Sequence, residues 1–247
     1  MIVSFCFIGL LIMKIIKEKH YASYETKQIV GWCIKHDIEI INVDINQIPY
    51  YEDALPIGSV EFMRECMRQY QINEPCNITY PDALQTHLKR HIGKNEPLHR
   101  DMFVKPCKTK QFTGFVLKSV NDYDEHDLEQ FLTLLSIVNC DIWNSELIQE
   151  LKAEYRFYIL ENEIIGYGRY DDGPDEWEMP DIEYVKQMIK DYHNSPIAYT
   201  LDVGVSSIGN VLIEANDAWA IGLYKGTMDI DSYVKFLDAR WKQIKND

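Results

Sequence analysis

Ala198-Tyr199-Thr200-Leu201-Asp202-Val203-Gly204-Val205, a turn over Ser206–Asn210, and Val211-Leu212-Ile213-Glu214-Ala215-Asn216 read as the two strands of one hairpin. Strand side chains alternate between faces. With the turn centred on Ile208, Leu201 faces Ala215, Val203 faces Ile213 and Val205 faces Val211. That face is wholly apolar, so burial sets the register; a slip of one residue would invert both faces. The same register sets Asp202 opposite Glu214, with Asn216 on their face two residues further on. Directly opposed residues have Cβ atoms about 4.5–5.5 Å apart, close enough for two carboxylates to repel. A bound cation relieves the repulsion. Two carboxylates and an amide oxygen are hard donors that suit an octahedral Mg²⁺ sharing its shell with phosphates. The alternative is an acidic hairpin face left in solvent.

Upstream lie cations that an anion would need. Lys105 ends the short apolar strand Met102–Pro106; Lys108 and Lys110 follow in a loop that closes on Phe112-Thr113-Gly114. A terminal glycine lets backbone approach an anion, and lysines supply point charges; a solvated lysine loop is the plainer reading. No G-x-x-x-x-G-K-[ST] and no G-x-G-x-x-G occurs in the chain. Glu154–Leu160 and Ile164–Tyr170 alternate as a second hairpin about Asn162. There Arg156 and Arg169 come close to opposite each other, which requires an anion between them or acidic partners such as Glu154.

Around these stretches the chain has 247 residues, 39 acidic and 25 basic, for a net charge of −14. Hydrophobic residues make up 46% and charged residues 26%, a globular composition that excludes a disordered or fibrous chain. The acidic balance excludes a surface that wraps nucleic acid, which needs a cationic face. Six cysteines, none within ten residues of another, read as thiols in a reducing cytoplasm rather than a disulfide or zinc framework. Met1–Ile16 is nearly all apolar but shorter than the ~20 residues of a membrane span. It reads as a weak anchor, a buried first strand or an extension ahead of the true start, with a strand opening at Met13-Lys14-Ile15-Ile16.

The remaining periodicities predict a strand–helix–strand unit (Lys14–Ile16, Ser23–His36, Ile38–Val43) with a parallel crossover. They also predict helices over Asp124–Leu135, Pro180–His193 and Ile230–Ile244. Turn signals fall at Leu55-Pro56-Ile57-Gly58-Ser59, Glu74-Pro75 and Tyr80-Pro81-Asp82. The Gly93–Pro97 cluster marks the expected domain boundary, dividing an extension (1–12), an N-terminal domain (13–97) and a C-terminal domain (98–247). His87 and His91 sit four apart on an expected helix over Leu84–His91, as a metal pair or a basic surface stripe.

In order and spacing these pieces resemble the ATP-grasp superfamily, in a branch of ligases related to the RimK family. The resemblance covers Leu98 to Trp241. It rests on Phe103-Val104-Lys105-Pro106 with Lys110-Gln111-Phe112-Thr113-Gly114, Ser145-Glu146-Leu147-Ile148, Glu154–Tyr158, Gly166–Tyr170, and above all the Asp202…Glu214-x-Asn216 set. It implies an α/β (α+β) ATP-grasp fold behind a βαβ-type pre-ATP-grasp domain. It further implies that Lys105 and Lys110 contact the phosphates of ATP, that Ser145, Glu146, Leu147 and Ile148 form the hinge at the adenine, that Arg156 and Arg169 line an acyl-phosphate site, and that Asp202, Glu214 and Asn216 hold Mg²⁺. The chemistry implied is ligation of a small-molecule or peptide carboxylate to an amine; a non-catalytic nucleotide-binding module and a phosphotransferase are the alternatives. The family's upstream phosphate-binding lysine has no counterpart; Arg64, Arg68, Lys89 and Arg90 are the candidates for its place. Substrate choice is expected to reside in residues 13–97 and in the acidic loop Asp171–Asp181.

Overall fold

The computed structural model describes residues 14–137, 140–173 and 179–247. The extension over 1–12, and Asp175, Glu176 and Glu178 of the acidic loop, lie outside them. The chain forms two compact units, Met1–Pro75 with Ala218–Asp247, and Cys76–Asp217.

In the first unit, β1 (Lys14–Glu18) leads through α1 (Tyr24–His36) to β2 (Glu39–Val43); β3 (Ala54–Ile57) and α2 (Val60–Gln69) follow. The strands form a parallel sheet in the order β2-β1-β3. Ile15 and Ile16 are adjacent in sequence and both fully buried, the pattern of a strand covered on both faces. Ser23 caps α1 by accepting from the Thr26 N–H, and Asp37 ends it in the left-handed region at φ 55°. The stretch over Leu55–Ser59, expected as a turn, is instead β3 up to Ile57. Pro56 has no N–H to give, and β3 is an edge strand where none is needed.

In the second unit, α3 (Gln85–Leu88), β4 (Ile92–Lys94), β5 (Met102–Pro106), β6 (Phe115–Val116), α4 (Glu125–Ser136) and β7 (Ile142–Glu146) come first. Then follow β8 (Ala153–Leu160), β9 (Glu163–Arg169), α5 (Ile182–Asp191), β10 (Ala198–Ser206) and β11 (Gly209–Asp217). Two antiparallel four-stranded sheets result, β4-β7-β5-β6 and β11-β10-β8-β9. Phe157, Ile159, Leu201, Val203, Leu212 and Ala215 turn one face of the second sheet onto Val185, Met188 and Ile189 of α5 and onto Leu84 and Leu88. Val104, Phe115, Leu117 and Ile142 meet Phe131 and Leu134 of α4 beside the first. The other face of the second sheet is thereby left for polar side chains.

Three expectations fail here. The boundary at 97/98 does not divide the chain: β4 pairs with β7, and Asn95 Nδ2 donates to Asp141 at 2.7 Å. The Gly93–Pro97 turn signals therefore mark a loop inside one sheet. The final helix, α6 (Ile230–Asn246), returns to the first unit, where Trp241 Nε1 donates to the Ala54 carbonyl at 3.1 Å. The expected helix over Leu84–His91 is only α3, stopped by Lys89 at φ 51°. His87 consequently pairs with Asp191 and His91 with Glu96, at 2.9 and 2.8 Å, and the two form neither a metal pair nor a stripe.

Candidate active site

The hairpin β10–β11 sets Leu201 opposite Ala215 and Asp202 opposite Glu214, as the alternation requires. Beyond them the register slips: Val203 pairs with Leu212, Gly204 with Val211, and Ser206 with Gly209. Ile213 is the extra residue of a β-bulge. Leu212, not Ile213, enters the core, so the expected pairs Val203–Ile213 and Val205–Val211 do not form.

On the polar face, Arg156 of β8 lies opposite Asp202 and grips it with two charge-assisted bonds, Nε–Oδ1 at 2.8 Å and Nη2–Oδ2 at 2.6 Å. Both residues are buried. Lys105, on β5 of the other sheet, pairs its ammonium with Glu214. The Asn216 amide bridges the two carboxylates, donating to Glu214 Oε1 at 3.0 Å and Asp202 Oδ2 at 3.3 Å. Two acids thus meet two bases and one amide. Burial and the nearby Glu214 charge push the Asp202 carboxyl up against the pull of Arg156. Burial also works on Glu214 and on Lys105, but each holds the other charged: Glu214 lies below and Lys105 above its ordinary range.

Aromatic rings close the surroundings. Tyr170 lies 5.3 Å from the Arg156 guanidinium, and its hydroxyl donates to Glu154 at 2.7 Å. Burial, then the Asp202 and Glu154 charges, raise the Tyr170 phenol. The Tyr80 ring lies 5.9 Å from both Lys105 Nζ and Arg90. None of Glu154, Tyr80 and Tyr170 stands out in sequence, though the alternation that selects Arg156 also places Glu154 on its face.

Arg169 does not join the cluster. β9 pairs it with Tyr155, and Gly168 stands opposite Arg156. One register step moves Arg169 to the other face, where Nε and Nη2 grip Asp171 at 2.8 and 2.7 Å. The two arginines therefore do not face each other across an anion. Lys110 lies exposed in the loop between β5 and β6, at φ 51°. At the hinge, β7 ends at Glu146 rather than Ile148, so Leu147 and Ile148 leave the ladder. Glu146, Leu147 and Ile148 line a cavity of about 240 Å³ with Leu88, Lys89 and Arg90. Ser145 is buried beneath, its hydroxyl bonded to the Glu146 carbonyl. Of the candidates for the upstream cation, Arg64 and Arg68 are held by Glu74 and Glu65 in the first unit. Lys89 and Arg90 belong to the second.

Among the described residues no group of three or more His, Cys, Asp or Glu is placed to hold a metal. Asp202 and Glu214 reach three ligands only with the Asn216 amide. The donor set still fits Mg²⁺: all three groups offer hard oxygens. Thr200, two residues before Asp202 and opposite Asn216, is fully buried, and its hydroxyl has no partner among the described residues. An unpaired buried hydroxyl is costly, and a solvated cation supplies the missing partner.

Comparison with known proteins bears on the same residues. Among solved structures, the D-alanine–D-alanine ligase of Bacillus anthracis, complexed with ATP, is 14% identical with a TM-score of 0.57; the match covers 95% of this chain and 98% of the ligase. A second structure of that ligase gives 0.59 over the same coverage. A RimK-domain ATP-grasp protein from Sphaerobacter thermophilus is 11% identical, with a TM-score of 0.51 over 94% of this chain and 98% of that one. At these identities the likeness is one of fold. No curated protein sequence matches significantly. Residues 48–244 match the model of an ATP-grasp domain family, the third of its clade; with well over half the chain covered, the protein has the ATP-grasp fold and belongs to that family, on the RimK-related side of the superfamily.

Proposed function

We propose that the protein is an ATP- and Mg²⁺-dependent ligase that joins a carboxylate to an amine through an acyl phosphate. The observation that carries this reading is the buried set Lys105–Glu214–Asn216–Asp202–Arg156, assembled from both sheets of one unit beside the Glu146–Ile148 cavity. Asp202, Glu214 and Asn216 would hold Mg²⁺, which when bound neutralises phosphate charge developing in the transition state. Lys105 is placed to meet a terminal phosphate and can do so by exchanging Glu214 for that anion. Arg156, fixed by Asp202, presents its guanidinium edge to an acyl phosphate. The cavity beside Glu146 suits an adenine, with Lys110 reaching a phosphate from its loop. Arg169 acts at one remove, holding Asp171, the first residue of the acidic loop that would take part in amine selection.

The reaction needs no protein nucleophile. The substrate carboxylate oxygen attacks the γ-phosphorus and ADP leaves; the amine nitrogen then attacks the acyl carbon and phosphate leaves with the electron pair. Among the described residues no helix is long and apolar enough to cross a membrane. Five cysteines are free thiols, in keeping with a cytoplasmic setting. The test is ATP turnover screened against pairs of amino acids and peptides, with mass spectrometry of the products. Phosphate release that depends on an added amine supports ligation; phosphate transferred to a stable product instead supports a phosphotransferase.

A further inference from the structure

We propose that Arg90 is a positioning residue: it clamps the β11 bulge and so aims Glu214 at the cation site. The inference rests on the reading of Asp202 and Glu214 as cation ligands.

The two ends of the β10–β11 hairpin demand different registers. At the tip, Ser206 pairs with Gly209 across a two-residue connection. Gly209 has φ +88°, and its carbonyl accepts from the Ser206 hydroxyl at 2.8 Å. At the site, Asp202 must meet Glu214. The two registers differ by one residue, and Ile213 absorbs the difference. A Cβ on Gly204 would stand 3.4 Å from Ile213 Cδ1 and 3.3 Å from Val211 Cγ1, so Ile213 lies on the same face as its neighbour Glu214. Two successive side chains then share a face, which alternation alone forbids.

A bulge interrupts the ladder and leaves backbone groups in need of partners. Arg90 supplies them. Its Nη1 donates to the Leu212 carbonyl and its Nη2 to the Ile213 carbonyl, both at 2.8 Å; Nη1 also reaches the Leu88 carbonyl at 3.1 Å. The adjacent Lys89 donates to the Asn210 carbonyl at 2.6 Å. Three carbonyls of β11 are thus fixed by one dipeptide that follows α3. A planar fork with two parallel donors suits successive carbonyls in a way a single ammonium does not. Without it the extra residue can be taken up elsewhere along β11, and Glu214 no longer lies squarely across from Asp202. Arg90 also lines the hinge cavity with Glu146–Gln149, so the wall of that cavity and the aim of Glu214 depend on the same side chain.

The test uses the full-length protein and three variants: Arg90→Met, Arg90→Lys and deletion of Ile213. Deleting Ile213 removes the extra residue yet keeps the glutamate across from Asp202 on an unbroken ladder. Amide exchange over Val211–Asn216 reads the bulge; electron paramagnetic resonance reads binding of Mn²⁺ in the presence of ATP. Arg90→Met is expected to speed exchange in that segment and to weaken Mn²⁺ by roughly 10–100-fold, the range for residues that orient metal ligands. Arg90→Lys should fall between, and covers the case in which Arg90→Met does not fold. In the Ile213-deleted background Arg90→Met should change neither readout. Equal loss of Mn²⁺ in both backgrounds would mean that Arg90 touches the ligand itself and would overturn the positioning role. If wild-type protein binds no Mn²⁺ with ATP, the reading of the cation site fails; exchange alone then decides the clamp, and unchanged exchange in Arg90→Met refutes it.

Discussion

Asp202 and Glu214 illustrate what a single residue pair can and cannot do. Placed opposite each other they repel, and the chain answers with one cation for each. The pairs are not equivalent. Arg156 and Asp202 are both buried, so removing one partner strands a charge. Arg156→Ala is expected to cost on the order of 3–5 kcal/mol of unfolding free energy, read as a lowered denaturant midpoint. Lys105 and Glu214 are half-buried and exchangeable. Glu214→Ala should therefore leave the fold standing while abolishing Mg²⁺-dependent ATP turnover; undiminished turnover would remove Glu214 from the cation site. Asp171 gives a pH signature. Its bonds with Arg169, and those from the Glu154 and Gly173 N–H groups, hold its carboxyl well below the ordinary range. A depressed carboxylate adds stability that is present above its unfolded value, about 3.9, and is lost as pH falls through the folded one. Asp171→Asn should flatten the fall in stability below about pH 4, followed by urea unfolding across that range.

The elements show which local signals held. Alternation found β8, β9, β10 and β11, and helical spacing found α1, α4, α5 and α6, because burial of one face dictates both periods. The pairing of Asp202 with Glu214 was legible for the same reason. The bulge was not, because the donor that sustains it, Arg90, lies 122 residues from Leu212. Arg169 fell on the other face for a related reason: one step of register in the β8–β9 hairpin decides the side, and loop residues alone do not set it. Caps are the most local signals. Ser59 accepts from the Phe62 N–H at 3.2 Å at the start of α2, and Ser59→Ala should cost about 1 kcal/mol in thermal or chemical unfolding. A cost near zero would mean that Glu18, which accepts the Ser59 N–H at 2.7 Å, holds the helix start alone.

For the whole molecule, the chain order and the units disagree. Turn residues at Gly93–Pro97 looked like a seam but lie inside a sheet, whereas the last 30 residues rejoin the first unit. There α6 buries Tyr233, Val234, Phe236, Trp241 and Ile244. Deleting Ala218–Asp247 is expected to strip amide protection from β1 while the ladders of β8 and β10 keep theirs, as measured by hydrogen exchange. Protection of Ile15 and Ile16 surviving that deletion would mean that the three-stranded sheet stands without α6.

What the amino-acid sequence by itself determined was the set of elements and the chemistry carried on their faces. Asp202, Glu214 and Asn216 share a face because strand geometry has a period of two, and that period needs no partner to be read. What only the tertiary structure decided was who neutralises them and where the chain divides. Lys105 meets Glu214 across 109 residues of sequence, Arg90 sustains the bulge from across the unit, and α6 returns to β3. These contacts arise from packing between elements, and no local period encodes which elements meet.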